Sequence, residues 1–105
     1  MLGSDFQFAA IPLQGAAGQS TAVAAQGAGL SIYVWGFGLT VDANGTAKWQ
    51  SNNTDLTGAM TVTTTSGLAA VPGAAPIVKT AQNEALKFTT ATGKGAGYVV
   101  YSVGP

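Results

Sequence analysis

The sequence GLSIYVWGFGLTV, residues 29–41, contains the central β pattern of this chain. It is rich in β-branched and aromatic residues, which favour extended strands. Alternation predicts Leu30, Ile32 and Val34 on one face of a strand. On the other face it predicts Tyr33, Trp35, Phe37, Leu39 and Val41. Both faces are apolar, as in a strand that is covered on both sides. Gly36 and Gly38 indicate a β-bulge or a close approach of another backbone.

Further β patterns flank this central strand. The predicted strands cover residues 19–25, 46–51, 56–65, 76–81, 85–90 and 97–103. Turn residues separate them, and Asn44-Gly45 is typical of a hairpin. Pro72 and Pro76 place residues 68–76 in a loop or at a sheet edge, because proline cannot donate to a ladder. Many short strands and no helix predict an all-β protein with a single small antiparallel β-sandwich or jelly-roll-like domain.

The N-terminal segment has a different pattern. Phe6 and Phe8 are spaced as in an extended chain, and Ile11 and Leu13 flank a proline that disfavours a helix. The next stretch, QGAAGQSTAVAAQGAG, offers little bulk to a core. We therefore expect an extended arm over residues 1–18 and a β-sandwich domain over residues 19–105. The arm's candidate partner-contact residues are Phe6, Phe8, Ile11 and Leu13. A frayed terminus is the alternative interpretation.

The composition excludes several kinds of chemistry. The chain has 105 residues, a length typical of one domain, and contains no His, Cys or Arg. A zinc finger, a thiol nucleophile and a Ser-His-Asp triad are therefore excluded. Four Lys balance four acidic residues, so we expect no nucleic-acid partner. No apolar run reaches the ~18 residues of a membrane helix, and we expect no membrane partner.

Charged residues make up only 8 % of the chain. Soluble proteins average roughly 25 %. Two interpretations stay open. The surface is made polar by Thr and Ser hydroxyls, or much of it is covered in an assembly.

The remaining candidate chemistry is weak. Gly93-Lys94-Gly95 lacks the upstream Gly and the following Ser or Thr of a phosphate-binding loop. The acids Asp42, Asp55 and Glu84 lie in predicted turns, where carboxylates stabilise the local backbone. We therefore predict that the chain is not an enzyme, with no catalytic residues, no metal and no cofactor.

Five aromatic residues suggest either a sugar-stacking platform or the bulk of a small core. They are Trp35, Trp49, Tyr33, Tyr98 and Tyr101. Alternation places Trp49 on the apolar side of its strand, which favours the core.

From residue 49 onward the sequence has a recognisable order of motifs. An LTG-x-M strand (Leu56, Thr57, Gly58, Met60) is followed by a loop led by Gly67 with spaced prolines at Pro72 and Pro76. A TA-x-x-EAL hairpin and a final G-x-x-x-Y strand come next, with Thr80, Ala81, Glu84, Ala85, Leu86, Gly97 and Tyr101. This order resembles the small β-rich decoration, or cement, proteins of tailed-phage heads. The resemblance covers roughly residues 20–103. Two positions depart from it: Ala59 replaces a frequent Pro, and Asn83 replaces a frequent Gly.

The resemblance implies a function and a setting. It implies a structural virion protein on the outer surface of the capsid, which binds the major capsid protein and stabilises the head by bridging capsid subunits. It also implies a homotrimer. The alternative is a carbohydrate-binding β-sandwich module of a phage tail or surface appendage.

Overall fold

A computed structural model describes residues 6–105, and this part of the chain is all β. It contains ten strands and no helix. The strands are β1 (Gln7–Ile11), β2 (Gly18–Val23), β3 (Ser31–Val41), β4 (Gly45–Ser51), β5 (Thr54–Asp55), β6 (Met60–Val62), β7 (Leu68–Ala70), β8 (Val78–Lys79), β9 (Leu86–Thr90) and β10 (Gly95–Gly104).

The strands form two antiparallel sheets that pack face to face. Sheet A has the order β1-β10-β3, and the short strands β7 and β8 both pair with the far side of β3. Sheet B has the order β2-β9-β4, and β5 and β6 both pair with β4. The prediction of a single antiparallel β-sandwich is confirmed.

The core lies between the sheets and is centred on Trp49. This side chain is 1 % exposed. Its ring lies edge-on to Phe37 of sheet A and Phe88 of sheet B, with centroids 5.2 and 5.8 Å away. Each fully buried side chain of this size contributes about 2–3 kcal/mol of hydrophobic free energy. The prediction that Trp49 faces the core is confirmed.

A β-bulge in the middle of β3 changes which residues face the core. Val100 of β10 pairs with Gly36, whereas the next residue, Tyr101, pairs with Val34, so Trp35 is the extra residue. Ile32 and Val34 face the core before the bulge, and Phe37, Leu39 and Val41 face it afterwards. The prediction that Trp35 shares a face with Phe37 is wrong, because one inserted residue reverses the alternation.

The segment predicted to be an arm is largely integrated into the sandwich. Gln7–Ile11 pairs antiparallel with β10 along its whole length. Gln14 is buried and joins the two sheets. Its Oε1 accepts hydrogen bonds from Thr90 Oγ1 and Gly95 N, and its Nε2 donates to Gly18 O and Ser20 Oγ. The structure therefore has no boundary at residues 18 and 19, and residues 7–18 belong to the domain. Residues 1–5 of the predicted arm lie outside the described part.

Candidate functional site: an aromatic face on sheet A

The outer side of sheet A carries a group of aromatic side chains. In the β1–β10 and β10–β3 registers, Phe8 lies opposite Val100 and Val100 lies opposite Gly36. These residues alternate with core residues such as Val99, so they point away from the core. Phe6, just before β1, extends onto the same side. We call Phe6, Phe8, Trp35 and Tyr98 the aromatic face.

The four rings form two contacting pairs. Phe6 and Trp35 meet edge to face with centroids 5.1 Å apart, and Phe8 stacks on Tyr98 at 5.6 Å. Despite these contacts, Phe6 is 48 %, Phe8 68 % and Tyr98 40 % exposed. Trp35 is half-buried, and its Nε1 donates to Ser102 Oγ at 2.9 Å. The pairs hold large apolar surfaces in fixed orientations in contact with solvent.

Two glycines of β3 allow other groups to lie close to the sheet. A Cβ at Gly38 would be 2.5 Å from Tyr98 Cε2, so the tyrosine ring can lie over this strand only because position 38 is glycine. A Cβ at Gly36 would be 2.9 Å from both Ala70 O and Pro72 Cδ. At Gly36 both predicted alternatives occur, because the bulge lies beside it and the backbone oxygen of Ala70 approaches it closely. At Gly38 the close group is the Tyr98 side chain and not the backbone that was predicted.

An apolar groove adjoins the aromatic face. Its volume is about 380 Å³, and it is lined by Gly38, Leu68, Ala69 and Tyr98 among others. The Tyr98 ring therefore contributes both to the stacked pair and to the wall of the groove. An aliphatic side chain from a partner would fit this groove better than a charged one, because the lining is almost entirely apolar.

Charge is distributed unevenly between the two outer faces. On sheet A, Lys79 lies at the margin of the face, with Nζ 5.1 Å from the centre of the Tyr33 ring. On sheet B, Gln50 Nε2 and Lys48 Nζ donate to the two oxygens of Asp55, at 3.0 and 3.1 Å. The Gln50 hydrogen bond, followed by the Lys48 interaction, holds the pKa of Asp55 below its ordinary value. The domain therefore has one polar, hydrogen-bonded outer face and one aromatic outer face.

The structure places the four residues that were predicted to contact a partner in three different environments. Phe6 and Phe8 lie on the aromatic face. Ile11 is only 5 % exposed and packs in the domain's own core, so this side chain is not available to a partner. Leu13 is 58 % exposed beyond the end of β1. Sequence reasoning missed the stacking of Tyr98 on Phe8, which depends on a pairing between two distant parts of the chain.

The predicted sugar-stacking platform is not assembled from the five residues suggested for it. Trp49 is in the core, as alternation predicted. The hydroxyl of Tyr33 donates to the carbonyl of Pro105, and that of Tyr101 donates to Gln7 Oε1. Only Trp35 and Tyr98 of the five belong to the aromatic face.

Two of the acidic residues in predicted turns accept hydrogen bonds, one from a backbone N–H and the other from a serine hydroxyl. Asp42 Oδ1 accepts a hydrogen bond from Lys94 N at 2.7 Å, which ties two turns together. Glu84 Oε1 accepts from Ser51 Oγ at 2.6 Å. Within residues 6–105, no three His, Cys, Asp or Glu side chains are grouped as metal ligands would be.

Comparisons with protein-family models, curated proteins and solved structures gave no match for this chain. Across residues 6–105, no helix has the length and apolar character needed to cross a membrane. The aromatic face is therefore the structural feature from which a binding surface can be proposed.

Proposed function

We propose that this chain is a structural protein of a tailed-phage head, a decoration protein that binds the outer surface of the capsid. In this proposal the aromatic face is the attachment surface and the major capsid protein is the partner. Each bound copy stabilises the head by bridging neighbouring capsid subunits. The assignment to a phage capsid rests on the sequence resemblance. The choice of attachment surface rests on the exposed aromatic side chains of sheet A.

The observation that carries the proposal is the exposure of the Phe8–Tyr98 stack beside an apolar groove. With about 200 Å² for a whole aromatic side chain, the exposed parts of Phe6, Phe8 and Tyr98 amount to about 300 Å². This is as large as the principal apolar patch of an ordinary monomer, and such patches often bind partners. Rigid aromatic side chains are also the residues that dominate binding energy at protein interfaces.

The chemistry of the face suggests what it binds. A partner would present an apolar surface with a small aliphatic side chain that enters the groove beside Tyr98. Attachment would then depend little on salt, because the interacting groups are uncharged. Contacts with several capsid subunits would add through effective concentration, so each single contact can be weak. The homotrimer implied by the resemblance stays a prediction.

The alternative, a carbohydrate-binding module, draws less support from the structure. Sugar sites combine an aromatic platform with several polar groups that recognise hydroxyls. Trp49 lies in the core, and the indole N–H of Trp35 already donates to Ser102. The hydrogen-bonded group formed by Gln19, Gln50 and Asp55 lies on sheet B, on the opposite side of the sandwich from the Phe8–Tyr98 stack.

Quantitative mass spectrometry of purified virions tests the proposal. The amount of this chain is measured relative to the major capsid protein. A near-stoichiometric ratio is expected, because a decoration protein covers the whole head. A few copies per particle would place the chain in the tail or at a single vertex, and absence from the virion would overturn the proposal.

A further inference from the structure

Three of the four sheet edges are protected against pairing with another strand. On sheet B, β2 has a bulge between Thr21 and Val23, and the other edge consists of the two- and three-residue strands β5 and β6. The β7–β8 edge of sheet A is made of strands of three and two residues, separated by a segment with two prolines. Short strands, bulges and prolines are the usual protection for exposed edges.

The fourth edge, β1, has none of these features. It is five residues long, QFAAI, without charge or proline, and it pairs with β10 in one continuous register. In an antiparallel pair only alternate residues direct their backbone groups to the partner strand. The outward groups of β1 form no hydrogen bond with any residue in the range 6–105. They are available to a second strand.

We infer that a second copy of this chain pairs with this edge, β1 against β1, in antiparallel orientation with Ala9 on the two-fold axis. Two identical strands can pair in this way because the surface is self-complementary under a two-fold rotation. An uncharged strand adds no like-charge repulsion between the copies, and like charges across a strand pair are destabilising. This two-fold dimer is an alternative to the homotrimer that the resemblance implies, and it does not depend on attachment to a capsid.

The alternation of side-chain size favours Ala9 as the centre. In this register Phe8 of one copy lies opposite Ala10 of the other, and Gln7 lies opposite Ile11. Each Phe8 ring, 68 % exposed in the single chain, therefore has a small neighbour across the pair, and its outer side stays on the aromatic face. A pair centred on Phe8 would instead place the two Phe8 rings directly opposite each other and shift Ile11 out of the pair.

The pairing has a consequence for the whole molecule. Sheet A of one copy would continue into sheet A of the next, and the two aromatic faces would lie side by side on the same surface. Two five-residue strands bury less area than a standard stable interface, so the dimer is expected to be weak and to depend on protein concentration.

A cysteine crosslink tests both the pairing and its register. The chain contains no natural cysteine, so a single substitution introduces the only thiol. In the Ala9-centred pair, the Cα atoms of the two residues 9 are about 5 Å apart, within the range of a disulfide. The two residues 10 are diagonal neighbours at about 7–8 Å, beyond that range. Under mild oxidation, Ala9→Cys should form a covalent dimer and Ala10→Cys should not. Equal crosslinking of both variants, or none, would overturn the inference.

Sedimentation velocity provides a second test that needs no thiol. The wild-type chain should shift from monomer to dimer as its concentration rises. Ala10→Lys places a charge on an exposed position of the edge, and it should keep the chain monomeric over the same range. Thr61→Lys, an exposed position on an edge strand of sheet B, is the matched control and should dimerise like the wild type. A wild-type chain that stays monomeric, or that forms a trimer, would contradict β1 pairing.

Discussion

Thr90 Oγ1 donates a hydrogen bond to Gln14 Oε1 at 2.9 Å, inside the domain and across 76 positions of sequence. The same oxygen accepts from Gly95 N, and the amide nitrogen donates to β2. The Gln14 side chain, which follows β1 in the chain, therefore connects sheet A to strands β2 and β9 of sheet B. This link explains why the N-terminal segment is part of the sandwich.

Replacing Gln14 by Ala should destabilise the domain by about 2–4 kcal/mol. The substitution leaves a buried hydroxyl and a buried N–H without their acceptor, and unsatisfied groups of this kind cost about 1–3 kcal/mol each. Chemical denaturation measures the change in the free energy of unfolding. Gln82→Ala, at an exposed glutamine, is the matched control and should be nearly neutral. Equal stabilities of the two variants would refute the role assigned to Gln14.

Gly97 is expected to be intolerant of any side chain. A Cβ at this position would be 1.9 Å from the carbonyl oxygen of Gly38, a backbone atom of the paired strand that cannot rotate away. We expect Gly97→Ala to cost about 3 kcal/mol or more, the range of severe overpacking. Gly73→Ala has open space around it and should leave the melting temperature nearly unchanged. A neutral Gly97→Ala would show that β10 and β3 are not this close.

Asp55 should titrate below its ordinary pKa of 3.8, because Gln50 and Lys48 stabilise the carboxylate. A lowered pKa in the folded state contributes stability above the unfolded pKa, and this contribution is lost as the pH falls through the folded value. NMR titration of the Asp55 carboxyl measures the shift. In Lys48→Met the pKa should rise toward 3.8 while staying below it, because the larger cause, the Gln50 hydrogen bond, is retained. A pKa at or above 3.8 in the wild type would contradict the geometry.

The fluorescence of Trp49 should be protected from a neutral quencher such as acrylamide. In Trp35→Phe only the buried indole remains, and its quenching constant should be several-fold lower than that of free N-acetyltryptophanamide. This result would be expected from the 1 % exposure of Trp49. Quenching as efficient as that of the free amide would place Trp49 at the surface and revive the sugar-binding alternative.

The strands and the core could be predicted from sequence because both follow from local patterns. Alternation correctly placed Trp49 inside. The prediction of a hairpin at Asn44-Gly45 is wrong, because β3 and β4, the two strands that this turn connects, lie in different sheets and do not pair with each other. Alternation predicted the wrong face for Trp35 relative to Phe37, because the extra residue in β3 exchanges the core side and the outer side of the strand. Gly36 marked the position of the bulge, and applying the reversal there would have placed Trp35 outside.

The aromatic face could be predicted only in part. Phe6 and Phe8 were chosen from their spacing, but their partners Trp35 and Tyr98 come from strands distant in sequence. Pairings of this kind depend on the order of strands in the sheet, which a single sequence does not specify. The same applies to Gln14, whose four hydrogen bonds reach β2, β9 and β10 and leave no local signature.

The most direct test of the central proposal is co-sedimentation of this chain with purified phage heads that lack it. The double variant Phe8→Ser, Tyr98→Ser removes the stacked pair from the aromatic face, and Thr61→Ser, on the outer side of sheet B, is the control. Circular dichroism checks that all proteins are folded. The proposal predicts saturable binding of the wild type and the control, and at least a tenfold loss of affinity in the double variant, equivalent to about 1.4 kcal/mol. Unchanged binding of a folded double variant, or no binding of the wild type, would contradict it.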